Sequence, residues 1–147
     1  MVLDPTPRLR GMVLALVLLG LLGVAAELML LGHYEPGWQR APLIAVVVAL
    51  ASLGLHGFRP SRRTVLGIRV VMLGLTLVGL WGVVQHFGGN RIFELEMDSN
   101  LRGWDLFWES LSGATPALAP GMMAQLGLLG LVYTSRHPSL TRTTRKA

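Results

Sequence analysis

The sequence has no cysteine among its 147 residues, and only 14% of them are charged. Without cysteine, disulfides, thiolate metal sites and thiol-based catalysis are excluded. A typical soluble domain carries about 25% charged residues, whereas this chain is 52% hydrophobic with a mean hydropathy of +0.54. The composition therefore indicates a polytopic membrane protein, and the length fits a single domain.

Recognisable motifs of soluble enzymes are also lacking. The sequence contains no GxSxG or HExxH motif and no glycine loop of the kind that binds phosphate. The formal net charge of +5 comes from basic residues next to apolar runs. Because there is no basic stripe with interleaved aromatic residues, we expect no nucleic-acid partner. A non-enzymatic role is favoured over an enzyme.

The longest apolar run extends from Gly11 to Tyr34 and holds one acidic residue, Glu27. At about 1.5 Å per residue, the run crosses a bilayer core of about 30 Å. A carboxylate inside a spanning helix is costly, so we expect Glu27 to face protein or water and to have a partner. Gly20, Gly23 and Tyr34 share its helical face, which predicts that this face packs against other helices.

The hydropathy pattern predicts four spans, over about residues 11–32, 42–58, 64–87 and 116–134. The last must begin near Thr115 and Pro116, because a start after Pro120 leaves too few residues to cross. Whether residues 112–121 are kinked or re-entrant stays open. Cleavage of the first span as a signal peptide also stays open, since residues 24–26 are small although the apolar run continues beyond them.

Residues 88–113 form the longest predicted connection. Hydrophobic and acidic residues alternate over 93–98, a period of two that predicts a short surface strand. Aromatic and leucine residues then recur at helical spacing. They predict an amphipathic helix in the interface plane, over about residues 100–112, with Ser99 or Asn100 as its cap.

This outer connection supplies a candidate docking surface. Its residues are Glu94, Glu96, Asp98, Trp104, Phe107 and Trp108. The excess of acidic charge predicts attraction of a cationic partner. A solvated loop without a partner is the alternative.

Basic residues lie mostly on one side of the predicted topology. With a cytoplasmic N-terminus, the cytoplasmic side holds Arg8, Arg10, Arg59, Arg62, Arg63, Arg69, Arg136, Arg142, Arg145 and Lys146, and the other side holds Arg40, Arg91 and Arg102. This bias places both termini in the cytoplasm. The predicted fold is an all-α membrane protein with four transmembrane helices plus one short interfacial amphipathic helix, located in a bacterial inner membrane.

The predicted topology brings Glu27 and His86 to the outer third of the bilayer. Gln85 lies next to His86, and Gln125 lies deeper on the last span. His86 also continues a helical stripe formed by Met72, Thr76, Gly79 and Gly82. A contact between Glu27 and His86 would either fix helix packing or serve as a proton or cation relay, and the protonation of Glu27 stays open.

The histidines form an outer pair, His33 and His86, and an inner pair, His56 and His137. Two stacked pairs in a four-helix bundle resemble the haem-b membrane cytochromes in topology. The resemblance implies a haem b held between helices. Those families place their axial histidines inside helices, whereas His33, His56 and His137 are predicted at helix ends.

The outer side also carries side chains of the types that bind metal ions, in Glu27, His33, Glu35 and His86. No tight spacing motif accompanies them, so no cofactor is predicted, and haem b and a metal ion stay as alternatives. A membrane enzyme that acts on lipid or quinone at the outer interface, near His33, Tyr34, Glu35 and His86, is a further alternative.

Several short segments carry a resemblance to small four-span bacterial membrane proteins of unassigned function. They are Glu27, Gly32-His33-Tyr34-Glu35, Trp38-Gln39, Pro42 and Gly113-Ala114-Thr115-Pro116-Ala117-Leu118-Ala119-Pro120-Gly121. The resemblance implies the four-span topology and carries no activity.

The leading functional hypothesis is an accessory or structural subunit of a larger respiratory, photosynthetic or transport complex. Its partners would be the lipid bilayer and larger membrane-protein subunits. The first alternative is a protein that handles protons, ions or metals through Glu27, His33 and His86. The second is a haem- or quinone-binding membrane protein.

Overall fold

The structure, a computed structural model, describes residues 6–35 and 37–141. As predicted, it is all-helical over these residues, with no β-strand among them. The helices in chain order are α1 (Thr6–Leu30), α2 (Arg40–Phe58), α3 (Arg62–Met97), α4 (Gly103–Ser112), α5 (Gly121–Thr134) and α6 (Pro138–Thr141).

Four of these helices close a ring. α1 packs against α2 and α5, and α3 packs against the same two helices. In the described part of the chain, the backbones of α1 and α3 do not approach each other, and neither do those of α2 and α5. The two short helices α4 and α6 pack against α3. The result is a four-helix bundle in which α5 joins the first helix to the third.

Three helices of the described chain, α1, α2 and α3, are long and apolar enough to cross a membrane. α5 is also apolar, but it has only 14 residues. With 36 residues at about 1.5 Å each, α3 is about 54 Å long and exceeds a bilayer core of about 30 Å. Its last turns therefore extend beyond the thickness that the other helices can span.

Both the interior and the exterior of the ring are apolar. Leu21, Val46, Ile68 and Met72 are fully buried between the helices. Large apolar side chains also cover the outer faces, and Val70, for example, is 73% exposed. Soluble proteins rarely expose apolar surface on this scale, whereas lipid tails are as apolar as leucine side chains. The surface points to an integral membrane protein.

Glycines allow α3 and α5 to approach closely. A Cβ atom on Gly79 would lie 2.5 Å from the backbone nitrogen of Ala124, and one on Gly127 would lie 2.6 Å from the carbonyl oxygen of Met72. Both of these neighbours are backbone atoms, so they cannot rotate away. The hydroxyl of Thr76, which faces Gly127, donates a hydrogen bond to the Met72 carbonyl at 2.9 Å. Small residues are the usual means by which membrane helices pack tightly.

The strand predicted over residues 93–98 is wrong, because α3 continues without a break to Met97. Glutamate, leucine and methionine are strong helix formers, and extending an existing helix costs far less than starting a new element. The short alternation of hydrophobic and acidic residues was therefore a coincidence of composition. The helix ends at Asp98, whose backbone N–H still bonds the Glu94 carbonyl at 2.9 Å.

The start of α4 also differs from the prediction, since neither Ser99 nor Asn100 caps it. Its N-cap is Arg102, which makes no side-chain capping bond, and Gly103 follows with a φ of +56°. Asn100 instead donates its backbone N–H to Oδ1 of Asp98 at 2.9 Å. The side chain of Asp98 thus organises the turn between α3 and α4.

The predicted helix start near Pro116 is likewise wrong, because α5 begins at Gly121. Residues 117–120 form tight turns with bonds to the third residue before. Ala119 N–H donates to the Pro116 carbonyl at 3.1 Å, and Gly121 N–H donates to the Leu118 carbonyl at 2.9 Å. Proline lacks the N–H that an α-helix needs and clashes with the preceding turn. In a helix begun at Pro116, the N–H that Pro120 lacks would bond the Pro116 carbonyl, so Pro120 keeps this segment out of the regular helix.

Candidate functional site

Glu27 lies exposed on α1, and no hydrogen bond or ion pair from the described residues reaches its carboxylate. Gly23 and Tyr34 are exposed as well. Gly20, on the same predicted face, does pack against another helix, because a Cβ atom there would clash with the Leu126 side chain of α5. Glu27 lies three residues before Leu30, the last residue of α1. Its carboxylate is thus near one end of the helix.

The predicted contact between Glu27 and His86 is not formed, because α1 and α3 are on opposite corners of the ring. His86 is half-buried, and its Nδ1 is 3.2 Å from the carbonyl oxygen of Pro116. Since a carbonyl only accepts, the histidine nitrogen donates in this hydrogen bond. Gln85 and Gln125 are exposed. The predicted buried polar cluster is therefore absent, and any functional role of these side chains stays a prediction.

The candidate metal ligands are divided between separate elements. Glu27 is on α1, His33 and Glu35 belong to the turn after it, and His86 is on α3. Over residues 6–35 and 37–141, no three His, Asp or Glu side chains are grouped so that they could hold a metal ion. Nδ1 of His33 is buried without a hydrogen-bond partner among these residues. The outer histidine pair is therefore also separated, with His33 in the turn after α1 and His86 on α3.

The inner histidine pair, in contrast, is brought together. The ring centroids of His56 and His137 are 5.0 Å apart, with their planes at 77°. Tyr133 adds a third ring, 6.4 Å from His56 and 5.5 Å from His137. We call these three residues the inner ring cluster. Two histidines that bind the same haem iron lie on opposite faces of the macrocycle. His56 and His137 are in direct contact, so they leave no space for a haem between them.

The inner ring cluster is buried and tied to α3 by hydrogen bonds. His56, Tyr133 and His137 are each less than one tenth exposed. Nδ1 of His56 is 2.7 Å from the Thr64 hydroxyl. That hydroxyl also belongs to a capping box with Ser61, which fixes the first turn of α3. The cluster therefore joins the ends of α2 and α5 across the ring and fixes both to the start of α3.

His137 lies after the end of α5 and accepts a hydrogen bond. The backbone N–H of Ser139 donates to its Nδ1 at 3.2 Å, so the neutral ring carries its proton on Nε2. Burial is the main cause that lowers the pKa of His137, and the neighbouring His56 and Arg10 lower it further. The neutral imidazole is thus the form that this environment favours.

Two arginines cap the C-terminal end of α5 from neighbouring helices. Arg69 on α3 donates hydrogen bonds to the hydroxyl and the carbonyl of Thr134, at 3.2 and 3.0 Å. Arg10 on α1 donates to the carbonyl of Arg136 at 3.2 Å. Cations at this end of a helix are stabilised by its terminal carbonyls. The bonds also show that the start of α1, the start of α3 and the end of α5 lie at one end of the bundle.

At the opposite end, the side chain of Asn90 holds three segments together. It is 2% exposed, and its Nδ2 donates to the carbonyls of Ser110 and Thr115 at 3.0 and 2.6 Å. Its Oδ1 accepts from the backbone N–H of Thr115 at 3.1 Å. A Cβ atom on Gly113 would lie 2.9 Å from Cγ of Asn90. One amide thus fixes α4 and the α4–α5 connection against α3.

The predicted docking residues fall into two groups. Glu94 and Glu96 are on the last turns of α3 and Asp98 caps it, with Glu94 half-buried and the other two exposed. The aromatic residues of α4 are all exposed: Trp104 at 71%, Phe107 at 40% and Trp108 at 55%. Phe107 also contacts Phe87 of α3, with ring centroids 5.5 Å apart. α4 is therefore packed through one side and presents tryptophans on another.

The sequence pattern contains a signal for the buried position of Asn90. Asn90 lies four residues after His86 and so continues the stripe that includes Met72 and Thr76. A polar residue at the end of a packed stripe is a candidate for a buried hydrogen-bonding role. The predicted topology had already paired the two histidines of the inner ring cluster, whereas Tyr133 and Thr134 gave no comparable signal, because their partners come from distant parts of the chain.

Taken together, the fold and these sites define a helical bundle with an apolar exterior and three helices of membrane-spanning length. No protein-family model matches the chain, and neither a curated protein nor a solved structure shows significant similarity to it.

Proposed function

We propose that this protein is a four-span subunit of a larger complex in a bacterial inner membrane, with an accessory or structural role. The proposal is carried by α4, a helix held firmly outside the ring that presents exposed tryptophans. Asn90 supplies the rigid attachment through its bonds to Ser110 and Thr115. Exposed aromatic side chains on a fixed support are typical of protein interaction sites.

The dimensions of the last segment support the fourth span. α5 covers about 21 Å at about 1.5 Å per residue, and the four turn residues before it add about 8 Å at about 2 Å each. Together they approach the bilayer core of about 30 Å. The hydrogen bond between Arg10 and Arg136 brings the N-terminal end of α1 beside the C-terminal end of α5. With the basic residues concentrated there, this end is assigned to the cytoplasm.

The chemistry of α4 indicates what its partner presents. Trp104 and Trp108 stack with ring centroids 6.3 Å apart. With Asp105 and Glu109 they line an open notch of about 270 Å³. Indole faces beside carboxylates favour an arginine or lysine side chain, through cation–π and ionic contacts. We therefore assign the notch to a basic side chain of a larger membrane subunit, exposed on the non-cytoplasmic side.

The test is purification of the tagged chain in a mild detergent, with two pairs of tryptophan substitutions. We expect larger membrane proteins to copurify in fixed stoichiometry with the unchanged chain. The Trp104→Ala/Trp108→Ala variant should lose them. The Trp38→Ala/Trp81→Ala variant should keep them, since those tryptophans, 90% and 61% exposed, are at least as accessible but lie outside α4.

Visible absorbance and metal analysis of the same eluate separate this proposal from the alternatives. A chain that elutes alone with a Soret band or a bound metal would contradict the accessory role and favour a cofactor protein. Equal loss of partners in both tryptophan variants would exclude α4 as the docking site. The geometry offers no support for a shared site of Glu27, His33 and His86, because among the described residues no three such side chains are grouped together.

The topology has its own test, since the absence of cysteine allows single-cysteine labelling. Arg63→Cys and Ser99→Cys place a thiol at exposed positions on opposite sides of the proposed membrane. An impermeant maleimide should label only the second in spheroplasts and only the first in inverted vesicles. The reverse pattern would overturn the orientation, and labelling of both in spheroplasts would overturn the number of spans between them.

A further inference from the structure

We infer that the connection between α2 and α3 binds the phosphate headgroup of an anionic phospholipid. The inference rests on the membrane insertion proposed above and is independent of the accessory role. The connection borders an open recess of about 720 Å³. Its lining includes Leu55, Arg59, Ser61, Arg62, Arg63 and Thr64.

The recess concentrates positive charge that the protein itself does not neutralise. The guanidinium groups of Arg59, Arg62 and Arg63 are exposed, and no side-chain hydrogen bond or ion pair joins them to the described residues. Arg69 and Arg10 differ from them, because both are engaged with carbonyl groups of the α5 end. The three recess arginines are therefore free to bind an anion, and guanidinium groups match phosphate oxygens in geometry.

Apolar side chains lie directly beside this charge. Phe58 is 90% exposed and Leu55 is 55% exposed, and their spacing of three places them on one side of the last turns of α2. Their side chains belong to the membrane-spanning helix, whereas the arginines follow it. A phospholipid has the same order, with acyl chains in the bilayer and phosphate at its surface. Free phosphate would make no use of Phe58.

The backbone around the recess is held in one conformation. The Ser61 hydroxyl accepts from the Thr64 N–H at 3.1 Å, and the Thr64 hydroxyl accepts from the Ser61 N–H at 3.1 Å. The Thr64 hydroxyl is also 2.7 Å from Nδ1 of His56. A fixed connection reduces the entropy lost when a ligand is bound. The arginines are thus presented on a preformed support.

The direct test is lipid binding by the purified full-length chain, measured by native mass spectrometry and by thermal unfolding. The chain is stripped of lipid in a neutral detergent and then supplied with phosphatidylglycerol or phosphatidylcholine. We expect phosphatidylglycerol to remain bound and to raise Tm, and phosphatidylcholine to do neither. Since juxtamembrane basic residues contribute additively to binding anionic lipid, Arg59→Gln/Arg62→Gln/Arg63→Gln should weaken binding by at least about tenfold.

The matched control is Arg91→Gln/Arg102→Gln, which removes two exposed arginines from the opposite end of the molecule. It should bind phosphatidylglycerol as the unchanged chain does. Equal weakening by the control would overturn the site, because binding would then follow net charge alone. Equal stabilisation by inorganic phosphate would overturn the assignment to lipid.

Two further variants keep the result interpretable if the triple change disturbs folding. Arg63→Gln alone changes one exposed side chain and should weaken phosphatidylglycerol binding by a few-fold. Phe58→Ala leaves all three arginines in place and should also weaken it, because acyl-chain contact is lost. Unchanged lipid binding in both variants would overturn the inference. A failed search for protein partners would leave it intact.

Discussion

Arg69 of α3 caps α5 by donating to both the hydroxyl and the carbonyl of Thr134, at 3.2 and 3.0 Å. Thr134 is completely buried and is the last residue of α5. Its hydroxyl also donates to the Leu131 carbonyl at 2.8 Å. The last turn of α5 therefore depends on a cation from a neighbouring helix, at the end where helix carbonyls lack internal partners.

Replacing this arginine should destabilise the bundle. We expect Arg69→Gln to lower the free energy of unfolding by about 1–3 kcal/mol, because buried acceptors on Thr134 lose a charged donor. Arg69→Lys should lose less. Denaturation in mixed micelles, followed by circular dichroism, measures the change. Arg91→Gln is the control, and a loss as large in the control would contradict a specific capping role.

The glycine contacts between α3 and α5 predict a different pattern of stability. Gly127→Ala should destabilise the protein by about 1–3 kcal/mol, because the new Cβ meets backbone atoms of Met72 and Thr76 that cannot yield. Gly74→Ala adds the same atom to α3 where nothing lies within 4 Å. It should be neutral or stabilising, since alanine favours helix over glycine. Similar effects in both variants would contradict the close contact.

Asn90 should control the order of the outer end. Asn90→Ala removes a fully bonded amide, and we expect a loss of about 1–3 kcal/mol. The amide hydrogen of Thr115, which donates to Asn90, should exchange much faster with solvent. Hydrogen exchange followed by mass spectrometry measures this locally. Asn100→Ala changes an exposed asparagine in the preceding turn, and it should leave exchange near Thr115 unaltered.

The environment of His137 predicts that stability falls in mild acid. Its pKa is lowered from 6.5 by burial and by nearby His56 and Arg10. As the pH falls below 6.5, the unfolded chain binds a proton before the folded one does, so the folded state loses stability. The stability contributed by neutral His137 is fully present above pH 6.5. It is lost as the pH falls from there towards the lower pKa of the folded state. Each unit of pKa shift corresponds to about 1.4 kcal/mol.

This dependence can be measured as Tm between pH 7.5 and pH 5.5, values chosen on either side of about 6.5, the unperturbed histidine pKa. We expect His137→Asn to show a smaller decrease over this interval than the unchanged chain. A decrease of the same size would show that His137 is not the group that titrates.

The sequence was informative where the bilayer itself imposes the pattern. The apolar runs predicted the helices that became α1, α2 and α3, because a spanning segment must satisfy its backbone internally and expose apolar side chains. The stripe of Met72, Thr76 and Gly79 lies on a buried face of α3, as small residues at helical spacing indicate. These features depend on local composition and helical spacing, which a single sequence contains.

Predictions from the sequence were wrong where the position of a residue in the tertiary structure decides its contacts. Glu27 was expected to have a buried partner, yet it is exposed near the end of α1. Its expected partner, His86, is on α3, whose backbone does not approach that of α1. Likewise, the predicted topology placed His56 and His137 on the same side, but their direct contact with each other and with Tyr133 depends on the ring order of the helices, which spacing along the chain does not record. The later start of α5 is different, since the sequence itself contains its reason in Pro120.

The position of α5 between α1 and α3 has a consequence for biosynthesis. It is the last of the ring helices to leave the ribosome, and until it packs, no helix bridges α1 and α3 on that side. The glycine face of α3 then has no helix against it, and small-residue faces of this kind readily pair with other membrane helices. Chains that stall before residue 121 should therefore associate with other membrane helices and have a short lifetime. Packing of α5 onto α1 and α3 is then the step that closes the ring.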